Sequence, residues 1–68
     1  MNFYLYCRVK LNTRKFINEG VDIGAIGYII EVYGEEPLEY EVEFSDANTG
    51  ETIAQIVVNQ EDIEIAEL

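Results

Sequence analysis

Three glutamates at alternate positions, Glu39, Glu41 and Glu43, are the first candidates for a functional site in this 68-residue chain. On a β-strand, residues two apart project from the same face at a spacing of about 6.5–7 Å. A row of carboxylates offers a negative stripe to a basic partner. Because such a row also keeps a sheet soluble and blocks edge pairing, binding and solubility are alternative explanations at this point.

The charge distribution favours the binding explanation. The chain holds fourteen Asp and Glu against four Lys and Arg, which gives a formal charge of −10. All four basic residues lie in the first fifteen positions, and all the carboxylates follow them. This field repels nucleic acid and anionic lipid and attracts basic protein surfaces. We therefore expect a basic protein partner, such as a toxin or nuclease, and neither nucleic acid nor a membrane. The residues assigned to this contact are Glu31, Tyr33, Glu35, Glu36, Glu39, Glu41 and Glu43.

Catalysis is not expected from these glutamates. General acid and base work requires a pocket that separates the pKa values of two carboxyl groups, and an exposed strand face offers none. The chain has no histidine, and Cys7 lies on an alternating apolar face, so no nucleophile–base pair is evident. Cys7 is predicted to be a small core residue. We expect no enzymatic activity.

Two further motifs suggest ligands but fail on spacing. The segment 46–51, DANTGE, resembles the start of a calcium loop, yet Gly50, Glu51 and Val57 stand where an oxygen ligand, glycine and glutamate are required. Gly20, Gly24 and Gly27 lack the Gly-Lys-Ser/Thr of a phosphate-binding loop. We expect neither a metal nor a cofactor. A hairpin turn explains the residues of segment 46–51, and tight bends in the loop explain the three glycines.

Aromatic residues accompany the basic segment. Tyr4 and Tyr6 alternate with Arg8 and Lys10, a combination that small barrels use for single-stranded nucleic acid. Because phosphate binding depends on cations and the chain has only four, a protein contact is favoured over a nucleic-acid contact. Tyrosine is enriched at protein interfaces. The alternative is that these tyrosines only cover the ends of the barrel.

Length and cysteine content set the broad class. Residues 1–68 form one predicted domain, and a single cysteine allows no internal disulfide. Residues 1–11 lack the apolar stretch and cleavage site of a signal peptide. These features predict a cytoplasmic protein.

Period-two alternation with intervening turn residues predicts strands over residues 4–11, 28–33, 39–44, 52–58 and 63–68. A single helical turn is predicted over residues 59–62. Residues 12–27 are predicted to form a long loop that folds over one mouth of the structure, with a short extended pair near Phe16 and Val21. The fold class is therefore all-β, a small SH3-like antiparallel barrel of about five strands with a one-turn helix before the last strand. An OB-fold is the second choice.

The predicted core contains the apolar residues that alternate along these strands. They are Leu5, Cys7, Val9, Ile30, Val32, Tyr40, Val42, Phe44, Ile53, Ile56, Val58, Ile63 and Ile65. Ile29 and Tyr33 share a face with Glu31. Two alternatives therefore remain for these two residues: they are buried, or they belong to an interface.

The blocks IGAIGYIIEVYGEEP (residues 23–37), YEVEF (40–44) and GETIA (50–54) resemble a bacterial domain-of-unknown-function family of small acidic SH3-like proteins. The family pattern is GxxGxVVEVYG, then YEVEF, then GxTxA, and the resemblance covers residues 20–68. Tyr28 stands where threonine is usual. The resemblance implies an SH3-like barrel and no established activity. Because such proteins are sometimes encoded near toxins or mobile elements, it also suggests an immunity role.

Two function hypotheses follow. The first is a non-catalytic protein-binding module, of the immunity or antitoxin type, that masks a basic partner surface with its acidic stripe. The second is an accessory or assembly module, a homodimer that buries Tyr4, Tyr6 and Tyr33 while the acidic face only confers solubility.

Overall fold

The computed structural model describes residues 3–66. Its strands are β1 (Arg8–Leu11), β2 (Ile26–Tyr33), β3 (Glu39–Ser45), β4 (Thr52–Asn59) and β5 (Ile63–Ile65). Short 3-10 helices occupy Ile17–Glu19 and Gln60–Asp62. The strands form one antiparallel sheet in the order β4-β3-β2-β1-β5. The predicted all-β fold of five antiparallel strands, with a one-turn helix before the last, is confirmed, and this order is compatible with the predicted SH3-like barrel.

Strand β3 shows why the alternation forms a sheet with one buried face. Its inward residues Tyr40, Val42 and Phe44 are buried, whereas Glu39 is exposed and Glu41 and Glu43 are only partly covered. Burying side chains of this size contributes about 1.5–3 kcal/mol each. The core is completed mainly from β1, β4 and β5, by Cys7, Val9, Leu11, Val21, Ile29, Ile56, Val58 and Ile63.

The first predicted strand is too long at its N-terminal end. Residues 4–7 form a turn, in which the Cys7 N–H donates to the Tyr4 carbonyl at 3.1 Å and Tyr6 has a φ of 66°. This turn breaks the alternation, so Leu5 is 44% exposed rather than buried. Cys7 itself is buried, as predicted.

Two register shifts correct the predicted core. In β2 the pairing shifts between Ile29 and Glu31, so Ile29 is fully buried and Ile30 is only half-buried. In β4, Ala54 pairs with Phe44 and Thr52 with Ser45. Ile53 is therefore an extra residue in the ladder, and it is exposed. β-Bulges of this kind insert one residue and reverse the facing of those beyond it.

The loop between β1 and β2 packs on the core without a strand of its own. The extended pair predicted near Phe16 and Val21 is not formed; the 3-10 helix Ile17–Glu19 occurs there and ends at Gly20, whose φ is 85°. Val21 is nonetheless buried, and Phe16 packs against the core. Loop burial of this kind is not marked by alternation, which is why Val21 is missing from the predicted core. Leu11, also missing from it, belongs to β1 and is buried two residues after Val9.

Within residues 3–66, no helix is long and apolar enough to cross a bilayer.

Candidate protein-binding face

The predicted glutamate row lies in the middle of the outward face formed by β2, β3 and β4. Residues opposite each other in a ladder project from the same face of a sheet. Glu39, Glu41 and Glu43 on β3 pair with residues of β2 on one side and of β4 on the other. We call this surface the acidic face; its residues are Tyr28, Glu31, Tyr33, Glu39, Glu41, Glu43, Gln55 and Val57.

The bulge in β2 decides which residues of that strand join the acidic face. Tyr28 pairs with Glu43 before the register shift, and Glu31 pairs with Glu41 after it. In a regular strand, Tyr28 and Glu31 would lie on opposite faces, because they are an odd number of positions apart. The bulge therefore adds Tyr28 to the face.

Glu31 and Glu41 are direct cross-strand partners. Like charges directly opposite each other destabilise a sheet. We take the size of this effect to be that of a favourable cross-strand pair, roughly 0.2–1 kcal/mol. Glu31 is exposed and Glu41 is half-buried. The face therefore concentrates negative charge at a cost to the free energy of folding.

Tyr33 is held in place by one of these carboxylates. Its hydroxyl donates a hydrogen bond to Oε1 of Glu41. That bond, with slight desolvation and the charges of Glu41 and Glu31, raises the pKa of the Tyr33 hydroxyl above its ordinary value. The bond orients the Glu41 carboxylate, while the tyrosine ring stays accessible beside it.

Glu43 is positioned from the other side of the strand. Nε2 of Gln55 on β4 donates to Oε2 of Glu43 at 3.1 Å, and the two residues are ladder partners. The central carboxylates, Glu41 and Glu43, thus each accept one hydrogen bond from a neutral donor, and each has further acceptor positions.

The remaining predicted contact residues lie at one end of the face. Glu35 and Glu36 are exposed in the turn between β2 and β3, next to a cis peptide bond that joins Glu36 to Pro37. Glu39 is exposed at the start of β3 and pairs with Tyr33. The predicted partner-binding residues therefore form a continuous group along one hairpin.

The cations lie on β1 and in the loop after it, where Arg8, the ladder partner of Tyr28, borders the acidic face. Three of the four are engaged with other groups. Lys10 lies 3.9 Å from Glu64 on β5, and Lys15 lies 2.9 Å from the buried Asp62. Arg8 donates from Nη1 to the Ala66 carbonyl at 3.1 Å. Residues 3–66 include all four basic residues, and within that range none forms a salt bridge with a glutamate of the acidic face.

Sequence reasoning missed three residues of the face. Gln55 and Val57 belong to a predicted strand, and their alternation with the core residues Ile56 and Val58 was a sufficient signal that they point outward. Tyr28 could not be placed in the same way, because its facing depends on the bulge in β2.

A second concave surface lies between the β1–β2 loop and the β3–β4 turn. It is an open cleft of about 520 Å³, bordered among others by Tyr28, Ile53 and Asp46. The Asp46 carboxylate accepts the backbone N–H groups of Asn48 and Thr49, and these bonds hold the pKa of that carboxyl below its usual range. Asp46 therefore closes the hairpin turn.

Within residues 3–66, no three His, Cys, Asp or Glu side chains are grouped to hold a metal ion.

Comparison with known proteins identifies a family. The sequence profile of a domain of unknown function, DUF4926, matches residues 7–65. No curated protein and no solved structure matches the chain. The profile covers all five strands and reaches further toward the N-terminus than the motif resemblance over residues 20–68. The chain belongs to the DUF4926 family of uncharacterised domains.

Proposed function

We propose that this protein is a non-catalytic, acidic protein-binding module, of the immunity or antitoxin type, that masks a basic surface of a partner protein. The observation that carries the proposal is the direct pairing of Glu31 with Glu41 in the centre of the acidic face. No salt bridge within residues 3–66 relieves this pairing.

Solubility alone is a weaker explanation for this arrangement. Solubility needs charge on the surface, and exposed loop residues such as Asp22 and Glu51 supply it without opposing two like charges in a ladder. Opposed carboxylates are stabilised when a cation from a partner lies between them. The partner then contributes the counter-charge that the chain itself does not provide at this face.

The chemistry of the partner follows from the geometry of the face. A row of carboxylates along β3, flanked by tyrosine rings, matches a surface of Lys and Arg side chains, since aromatic faces attract these cations and carboxylates accept their hydrogen bonds. The nucleic-acid groove of a nuclease has this character. In that complex the glutamates would stand where phosphates otherwise lie.

Affinity capture from the source cells tests the proposal with three forms of the protein. The wild type is compared with the double variant Glu41→Lys/Glu43→Lys and with Glu19→Lys/Glu61→Lys, which changes the net charge equally outside the acidic face. We expect a basic protein to be recovered by the wild type and the control but not by the face variant, and to be released by high salt.

Kinetics on the recovered partner provide the second readout. Charge reversal at the face should slow association and flatten its dependence on salt, because electrostatic steering acts mainly on the association rate. Equal association by the face variant and the control would refute the proposal.

A homodimeric assembly module is the second candidate, favoured by one observation. Tyr4 is 65% and Tyr6 is 74% exposed at the turn before β1, and tyrosine is enriched in interfaces. Light scattering of the purified protein decides this candidate. A dimer that Tyr4→Ser/Tyr6→Ser converts to a monomer would support it, and a monomeric wild type would exclude it.

A further inference from the structure

The two edges of the sheet differ in how they are protected. At one edge, β5 is only three residues long and carries Glu64. At the other edge, β4 is eight residues long, with the sequence TIAQIVVN and no charged residue. Natural proteins guard edge strands by shortness, charge or bulges. β5 has the first two safeguards, whereas β4 has only a register shift near its beginning.

The backbone of β4 is available for pairing along its free edge. The N–H of Asn59 donates to Oδ2 of Asp62 at 2.9 Å, not to its ladder partner Glu39. In an antiparallel ladder, backbone groups alternate between the two neighbours. The N–H and C=O groups of Val57 and Gln55 therefore point away from β3, toward an edge that no strand within residues 3–66 occupies.

The side chains of β4 agree with this availability. Val57 is 46% exposed on the outward side of the strand, next to Gln55. A strand rich in β-branched residues, without charge and with an exposed valine, is the kind of edge that recruits another strand. In a chain of which 26% is charged, the lack of charge along this edge points to a partner.

We propose that the free edge of β4 binds an extended segment of the basic partner by strand addition. This inference rests on the proposed function and names the element of the partner that makes the contact. Gln55 and Val57 pair with Glu43 and Glu41, so an added strand lies two strand spacings, about 10 Å, from the carboxylate row. Outward Lys or Arg side chains on that strand would extend across β4 toward the glutamates.

Charge decides between this occupant and a second copy of the chain. Pairing β4 with β4 of another copy would join two chains of −10 each and make their acidic faces continuous. Such self-repulsion disfavours the dimer. A basic segment gains backbone hydrogen bonds at the edge and ion pairs with the face, which is the division of affinity and specificity seen in strand addition.

A synthetic probe tests the inference directly. The probe is the blocked octapeptide (Lys-Thr)₄. There are three control peptides: (Glu-Thr)₄, a (Lys-Thr)₄ with N-methylated threonines, and a (Lys-Thr)₄ with N-methylated lysines. Each N-methylation removes alternate N–H donors, so one of the two peptides loses the donors that face the edge while keeping all its charge. We expect the unmodified basic peptide to bind and to protect the amides of Gln55 and Val57 from hydrogen exchange. The acidic peptide and one N-methylated peptide should bind at least tenfold more weakly.

Three variants separate the backbone edge of β4 from the glutamates of the acidic face. Val57→Pro removes an edge-facing N–H, and Val57→Lys keeps the backbone but opposes a basic strand with like charge; both should weaken binding at least tenfold, and circular dichroism reports whether each is folded. Glu41→Gln/Glu43→Gln should weaken binding and reduce its salt dependence.

Each outcome has a distinct meaning. Binding that responds to the glutamate variant but not to N-methylation or to either Val57 variant would overturn strand addition and leave the acidic face standing. Binding that responds to the edge changes but not to the glutamates would keep strand addition and refute the proposed role of the face. Absence of binding, or a dimer in sedimentation that Val57→Lys dissociates, would overturn the inference.

Discussion

Glu31 on β2 and Glu41 on β3 face each other as ladder partners, and the Tyr33 hydroxyl donates to the Glu41 carboxylate beside them. This cluster combines a repulsive pair with an oriented acceptor. Residues that a fold keeps at a cost to its stability are common at functional sites.

Replacing Glu31 by lysine should stabilise the fold. Glu31→Lys turns a like-charge pair into an opposite-charge pair, and we expect the free energy of unfolding to rise by about 0.5–1 kcal/mol at low salt, and less at high salt. Urea unfolding measures this. Glu35→Lys, in the exposed turn, makes the same change in net charge and is the control. An equal gain in both variants would show that net charge, not the pair, is responsible.

The Tyr33 hydroxyl should titrate above its ordinary pKa, and Glu41→Gln should lower that pKa. The folded state holds this proton more tightly than the unfolded chain does, so the contribution to stability is complete below the ordinary tyrosine pKa. It is lost as the pH rises through the raised value. Ultraviolet difference titration against Tyr33→Phe, with and without Glu41→Gln, isolates the group. An identical midpoint in both backgrounds would contradict the hydrogen bond.

Gly27 should not tolerate a side chain. A Cβ at this position would lie 2.6 Å from the Glu43 carbonyl oxygen and 2.7 Å from Cγ1 of Val42, so β2 and β3 would have to separate. We expect Gly27→Ala to lower the free energy of unfolding by about 1–3 kcal/mol. Gly24→Asn is the control, because Gly24 has a φ of 91° with open space around it and asparagine tolerates this backbone. A smaller loss in Gly27→Ala than in the control would contradict this packing.

Asp62 should be required for the junction between β4 and β5. It is buried, accepts the Asn59 N–H in a capping box and pairs with Lys15. Removing its carboxylate leaves the half-buried Asn59 N–H without its acceptor, so Asp62→Ala should cost about 1–3 kcal/mol. Glu61→Ala, at the exposed neighbouring position, should cost little. Thermal unfolding of both variants gives the comparison, and equal melting temperatures would exclude this role.

The local pattern was sufficient for much of the fold. Alternation in residues 39–44 and 52–58 predicts two strands and their buried residues, since each outward or inward position is set by the two-residue period alone. The helical turn before the last strand is also predicted, and in the structure Asn59 and Asp62 form a capping box there. The row Glu39, Glu41 and Glu43 needs nothing beyond the same period.

Features that depend on contacts between distant residues could not be predicted. The facing of Ile30 and Ile53 was predicted wrongly, because a bulge arises from the pairing of two strands and leaves no trace in the alternation of one. Likewise, residues 4–7 have the alternation of a strand but form a turn. Tyr6 and Cys7 of this turn form backbone hydrogen bonds with Ile29 of β2.

The sequence by itself determined the charge, its separation into a basic start and an acidic remainder, and the strand that carries the glutamate row. Only the tertiary structure decided that Lys10 pairs with Glu64 of β5 and Lys15 with Asp62. It also decided that Glu31 lies opposite Glu41 and that the uncharged β4 forms an open edge next to β3. The physical reason is that strand order and register set which charges meet, and both are fixed by burial of the core across the whole sheet.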